Sequence, residues 1–174
     1  MFPAAIALDT SFVVEALIES QRLHVPCRDF LDRLVESGPT VVTSDLLQVE
    51  LAEASFAIAL KERWGRRWRH HRGDGRARRT ARRLLEGVNQ RFQTALQPLD
   101  HVSVPVSSVV AVAEEIMGDY GLASYDAVHA ASAVAAGAEA IVTKDTDFAR
   151  LPAAMLAVYT DRSRLASCRA KRPR

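Results

Sequence analysis

Asp145 and Asp147 stand two residues apart in Ala138–Phe148 (AEAIVTKDTDF), just after the apolar run Ala140-Ile141-Val142. Two carboxylates so placed repel each other unless a proton or a cation intervenes. A short Val/Ile-rich run closed by turn and charged residues reads as a buried parallel strand. In open α/β sheets ligands sit beyond the carboxyl ends of the strands, so Thr143, Asp145 and Asp147 should emerge where chemistry is usually placed. Asp9 repeats the arrangement after Ala4–Leu8. Glu50 shares a helical face with Leu46 and Ala54, a costly place for a carboxylate unless it is paired or bound to a cation. Asp126 falls in the first turn of a helix opened by Ser124. A cluster of oxygen ligands alone selects hard cations, Mg²⁺ or Mn²⁺. Such ions serve phosphoryl chemistry by activating a water and clamping phosphate oxygens.

Each of these residues also has a plainer explanation. Glu50 fits an edge glutamate in a surface salt bridge, and Asp126 fits a helix-start acid favoured by the dipole. His129, one turn beyond Asp126, reads as a hydrogen-bonded core histidine, since no second histidine has metal spacing to it. Lys144 fits either a phosphate contact or a solvent-facing turn residue. Other chemistries lack their signatures. There is no GxxxxGK[ST] or GxGxxG, Ser11 has no nucleophile-elbow context, and Cys27 and Cys168 match no metal or redox spacing.

The elements that must carry these residues alternate between strand and helix, which points to a parallel sheet covered on both faces. Strands are expected over Ala4–Leu8, Thr40–Thr43, His101–Val106, 140–143 and Met155–Thr160. Helices are expected over Phe12–Glu19, capped by Thr10 or Ser11, and after Pro26 as far as Gly38-Pro39. A third follows Ser44 or Asp45. Two more are expected over Val109–Gly118 and Tyr125–Ala136. A chain of 174 residues is one domain of ordinary size. No apolar run approaches the roughly 20 residues that span a bilayer. The N-terminus MFPAAIALDT reads as no targeting segment, so the expected compartment is the cytoplasm, with reduced thiols.

The net charge of +2 conceals a strong segregation. Residues 61–83 (KERWGRRWRHHRGDGRARRTARR) hold eleven basic residues against two acidic ones, a local charge of +9. The tail 162–174 adds six basic residues and no acid. The rest of the chain keeps six basic residues against 19 acidic ones, or −13. An acidic body with a basic arm and tail suggests a polyanion partner. Gly73-Asp74-Gly75 reads as a turn joining two helical arms, the second continuing through Leu84, Leu85, Val88, Phe92 and Leu96 to Pro98. Trp64 and Trp68, spaced i, i+4, should share a helical face. The arm reads as a nucleic-acid contact through Arg66, Arg67, Arg69, Trp64 and Trp68, or as a solvated or partner-docking surface.

Taken in order, Asp9-Thr10-Ser11, Ser44–Glu50 (SDLLQVE), Tyr125-Asp126-Ala127 and Thr143–Phe148 (TKDTDF) resemble the motifs of PIN-domain nucleases, and most closely VapC-type toxins of toxin–antitoxin systems. The resemblance spans nearly the whole chain. It implies a three-layer α/β/α fold with a mostly parallel sheet and a Mg²⁺- or Mn²⁺-dependent endoribonuclease. It further implies Asp9, Glu50, Asp126 and Asp145 as metal-site acids and Asp147 as an auxiliary acid, with Thr10, Ser11 and Thr143 as supports. Its implied partners are an RNA substrate, a cognate antitoxin and a second copy of the chain. On this reading residues 1–161 form the nuclease domain, 61–83 are a basic helical insertion, and 162–174 are a basic tail. The rivals are a non-catalytic RNA-binding or scaffold protein on the same fold, and a metal-dependent phosphatase. The phosphatase would need an aspartate at Ser11.

Overall fold

The computed structural model describes residues 2–159. Among them, five strands form one sheet: β1 (Ala5–Leu8), β2 (Thr40–Ser44), β3 (His101–Val104), β4 (Ala140–Val142) and β5 (Ala157–Tyr159). The order is β3-β2-β1-β4-β5, and every neighbouring pair is parallel. Six α-helices accompany them among the described residues: α1 (Thr10–Leu17), α2 (His24–Ser37), α3 (Leu46–Trp64), α4 (Gly75–Leu96), α5 (Val110–Tyr120) and α6 (Ser124–Ala135). The chain steps outward from β1 to β3, then returns to place β4 on the other side of β1. The order therefore reverses between β1 and β4, and a crevice opens there beyond the strand ends.

Side-chain alternation along the strands divides the core into two layers. Ile6, Leu8, Val41, Ala140, Val142 and Tyr159 face one cluster, with Phe12, Leu17, Phe30, Leu34, Val88 and Phe92 from α1, α2 and α4. Ala7, Val42, Ile141 and Val158 face the other, with Ala113, Ile116, Ala127, Ala130 and Ala131 from α5 and α6. This is the three-layer α/β/α arrangement, with a central parallel sheet.

Several boundaries fall elsewhere than expected, each for a local reason. Asp9 itself caps α1, accepting from Ser11 N at 3.3 Å, so the helix starts at Thr10 rather than after it. The second helix begins at His24, with Pro26 inside its first turn, and stops at Gly38 in the left-handed region (φ 67°). Of the two caps considered for α3, Ser44 accepts from Leu46 N at 3.1 Å, while Asp45 turns to accept from Val106 N at 3.0 Å. The fifth helix runs past Gly118 and ends at Gly121, the glycine with positive φ (64°). Ser124 is the first residue of α6 and makes no capping bond. Thr160, Cys168 and the basic tail lie outside the described residues.

The basic segment forms a helical hairpin. The two long helices α3 and α4 pack together, burying Ala59, Leu60, Ala77 and Ala81, while Val88, Phe92 and Leu96 of α4 continue into the core. The expected turn is present, with Asp74 capping α4 through Ala77 N at 2.7 Å. The shared tryptophan face is not. Trp64 ends α3, Gly65 takes a positive φ (54°), and Trp68 sits in the 3-10 turn Gly65–His71. The Trp64 ring is instead stacked on His71 at 3.8 Å. Trp68 lies beside Lys61 and Arg69, at 5.3 and 4.8 Å. Cys27 matches the expected inert thiol: it is buried, and burial, then Glu15, push it up to about 12.

Phe30 joins the helix layer to the sheet. It is fully buried and meets Phe2, Phe12 and Tyr159 edge-on at 5.2, 5.5 and 5.8 Å. Phe30→Ala should cost about 3–5 kcal/mol by chemical denaturation. A loss near the general mean of about 1 kcal/mol would mean that the cluster is not the keystone of this layer.

Candidate active site

The β1 and β4 strands end side by side, Leu8 opposite Val142, and Asp9 N donates to Val142 O at 3.0 Å. The turns that follow are knitted together by hydroxyls. Oδ2 of Asp9, a residue 4% exposed, accepts from Thr143 Oγ1 at 2.7 Å and from Ser11 Oγ. The Ser11 hydroxyl in turn accepts from Lys144 N at 2.9 Å. In TKDTDF two short turns succeed each other. Asp145 N donates to Thr143 Oγ1 at 2.9 Å, and Asp147 N donates to Asp145 Oδ1 at 2.8 Å. The helix terminus adds partial positive charge at Asp9.

Glu50 approaches from α3. Its Oε2 accepts from Thr10 Oγ1 at 2.5 Å and meets His129 Nε2 of α6 at 2.5 Å. The same ring nitrogen lies 3.7 Å from Asp9 Oδ1. Burial alone would raise the Glu50 pKa, but its bonds to His129 and Thr10 outweigh it and hold the group below the usual carboxylate range. Burial would lower His129, yet the bond to Glu50 and the charges of Asp9, Glu50 and Asp126 prevail and raise it. The two carboxylates beside it thus favour a proton on the ring. The sequence identified His129 as a bonded core residue but not its partner; its place three residues after Asp126 on one helix was the available signal.

Asp9, Glu50, Asp126 and Asp145 all line one open cavity of about 720 Å³, together with Thr10, Ser11, Tyr125, Lys144, Glu53 and Arg72. Asp126 has no comparable support. Burial first, then Asp9, Asp145 and Glu50, push it up to about 6, against the opposing charge of His129. Asp147 is not on the cavity wall; its carboxylate is half-exposed and pairs with Arg150 at 3.0 Å. Thr143 is buried beneath the wall, holding Asp9. Lys144 is neither free nor on a phosphate-ready stem, because its Nζ is 2.6 Å from the buried carboxylate of Glu15. Arg66, Arg67, Arg69, Trp64 and Trp68 lie off this cavity; Lys61, Gly65, Arg66, Trp68 and Arg69 line a shallow depression of their own, about 500 Å³. Glu15, buried at 2% exposure, and Arg72 are site neighbours that the sequence reading passed over.

A family model described as PIN domain matches residues 6–154, most of the chain. The chain belongs to the PIN domain family. No curated protein matches it. Membership implies a metal-dependent nuclease, a hydrolase, and the PIN fold seen here is the expected three-layer one. The residues of this PIN domain fit a divalent metal in chemistry: its acids offer oxygen ligands only, and the raised Asp126 marks a wall short of positive charge. Among the described residues no three His, Cys, Asp or Glu side chains form a ready ligand cluster, so the acids face one cavity rather than one point. No helix among those residues is long and apolar enough to cross a membrane.

The Asp126 shift has a signed consequence for stability. Its folded pKa of about 6 exceeds its unfolded value of about 4, so between these limits the folded metal-free protein binds more protons than the unfolded chain. Stability from this group is therefore lost as pH rises through that window. In EDTA, Asp126→Asn should melt above wild type at neutral pH, with the advantage vanishing toward about pH 4. His129 shares in the difference above that window, because its raised pKa rests partly on the Asp126 charge and its contribution fades only as pH climbs above 6.5. A pH-independent difference between the two melting curves would contradict the electrostatic origin.

Proposed function

We propose that this PIN domain is a Mg²⁺- or Mn²⁺-dependent endoribonuclease that acts as the toxin of a toxin–antitoxin pair. The observation that carries the reading is the convergence of Asp9, Glu50, Asp126 and Asp145 on one cavity, at the reversal point of strand order. Asp9, Glu50, Asp126 and Asp145 would hold a divalent ion, which would supply water activation and charge neutralisation. The chain's own residues prepare the place. Ser11 and Thr143 hold one oxygen of Asp9 and thereby orient the other, Oδ1, on the side of His129. Thr10 and His129 fix Glu50 Oε2 in the same way, and the charges of Glu50 and Asp9 favour a proton on the His129 ring. Asp126, raised to about 6 without metal, is the carboxyl on this wall whose proton a bound cation would displace.

RNA as the substrate is supported by the hairpin, whose exposed Arg66, Arg67 and Arg69 surround Trp68 in a segment of local charge +9. Arginines so concentrated suit a nucleic-acid backbone, and the cations over the Trp68 ring, Lys61 and Arg69, add to that charge. A cognate antitoxin that covers the acid-lined cavity, and a homodimer, complete the reading.

Asp9→Asn and Asp126→Asn should each abolish cleavage of RNA in Mg²⁺ or Mn²⁺ while circular dichroism shows an intact fold. Expression of wild type, and not of either variant, should arrest growth. Undiminished cleavage by a folded Asp126→Asn protein would overturn the assignment.

Divalent ions should also raise the melting temperature. Binding to the folded state alone adds about 2.7 kcal/mol at a hundredfold excess over Kd. Mn²⁺ should act at least as well as Mg²⁺, and EDTA should abolish the shift. An Asp9→Asn/Asp145→Asn protein that shifts as much as wild type would place the metal elsewhere.

A further inference from the structure

On the ribonuclease reading, we propose that Arg72 is a substrate-phosphate contact that the basic hairpin delivers to the acid-lined cavity, parked on Glu53 until RNA arrives. Among the eleven basic residues of 61–83, all of them described, Arg72 lines this cavity. It follows the 3-10 turn Gly65–His71 and reaches back to α3. There its Nη1 and Nη2 donate to Glu53 Oε1 and Oε2 at 2.9 and 2.6 Å. Its guanidinium lies over Phe56 at 5.1 Å, an arrangement that orients the planar group without using its N–H donors.

The cavity needs such a group. Its wall carries the carboxylates of Asp9, Glu50, Glu53, Asp126 and Asp145, and an RNA backbone brings further negative charge to it. Lys144 is the other cation on the wall, and it is committed. Its partner Glu15 is buried and also accepts from Leu23 N at 2.6 Å, so withdrawing Lys144 would strand a buried charge. The Arg72–Glu53 pair differs because both side chains are about half exposed, 51% and 53%. The pair is bidentate, but its exposure lets solvent and salt screen it and lets a competing anion reach it. The fork that binds a carboxylate through two parallel bonds binds a phosphate in the same way. An RNA phosphate can thus compete with Glu53 for the guanidinium, and the exchange turns the Arg72 charge from Glu53 to the substrate within the acid-lined cavity. Arg72 also ties the end of the turn to α3, so a purely structural clasp is the alternative that the test must separate.

The test uses full-length protein made inactive by Asp9→Asn, binding a fixed single-stranded RNA across a salt series, with melting curves in parallel. Arg72→Gln should weaken binding severalfold and reduce the log–log salt slope by about 0.7, the value for one lost contact on a single strand. Glu53→Gln releases the guanidinium and removes a competing carboxylate; it should keep the slope and bind RNA more tightly. In the active protein, Arg72→Gln should act mainly through KM, with Arg72→Lys recovering part of the loss. An unchanged slope and affinity in a folded Arg72→Gln protein would overturn the proposal. So would equal losses of melting temperature and RNA affinity in Arg72→Gln and Glu53→Gln, the mark of a clasp. If wild type neither cleaves nor binds RNA, the ribonuclease reading falls and takes this proposal with it. Cleavage that is indifferent to Arg72 sinks the proposal alone.

Discussion

Carboxylates that share a poorly solvated cavity repel one another, and much of the structure around β1 and β4 is arranged to tolerate that repulsion. Asp9 is supported most fully, by a helix terminus, two hydroxyls and the nearby His129 ring. At Glu50, hydrogen bonds from Thr10 and His129 defeat the effect of burial. At Asp126 no such bonds intervene, so burial and like charge win and the group is left near neutrality. The imbalance is what a divalent cation would relieve. A folded state that is electrostatically incomplete is a common condition of functional sites, where charge is kept ready at some expense of stability.

The sheet places this imbalance where it is useful. Parallel strands send all their carboxyl ends to one edge, and the order β3-β2-β1-β4-β5 sets Asp9 and the TKDTDF turn next to each other there. The small residues Ala127, Ala130 and Ala131 let α6 lie close to the sheet. That approach carries Asp126 and His129 to the same edge. The third helix brings Glu50 from the other side, and the same helix continues into the hairpin that holds Arg72. Glu15, a buried residue of α1, fixes Lys144 and so prevents the nearest lysine from neutralising the acids. The charge of the cavity is therefore a property of three layers and not of any single motif.

The basic hairpin shows how composition and geometry answer different questions. Its arginine content called for a polyanion, and its Gly73-Asp74-Gly75 turn was plain from residue types alone. The partners of its aromatic and charged groups were not. The spacing of Trp64 and Trp68 suggested one helical face, but Gly65 with positive φ ends the helix between them. Trp64 is then taken up by His71. A periodicity argument assumes that the helix continues, and one glycine with a left-handed φ removes that assumption.

By itself the sequence determined the alternation of strands and helices, the parallel sheet, the helix stop at Gly38, the turn at Gly73-Asp74-Gly75, and the identity of the acids worth watching. These follow from short-range causes: apolar runs of strand length, turn chemistry, and carboxylates set beside apolar faces. The tertiary structure decided which of those acids meet. It gathered Asp9, Glu50, Asp126 and Asp145 on one wall and turned Asp147 toward Arg150. It paired His129 with Glu50 across 79 positions and Lys144 with Glu15 across 129. Such pairs depend on strand order and on how closely helices pack, and neither is encoded in the spacing of any one segment. The pKa of Asp126 is likewise absent from the residue itself, because it is set by burial and by charges that arrive from three other elements of the fold.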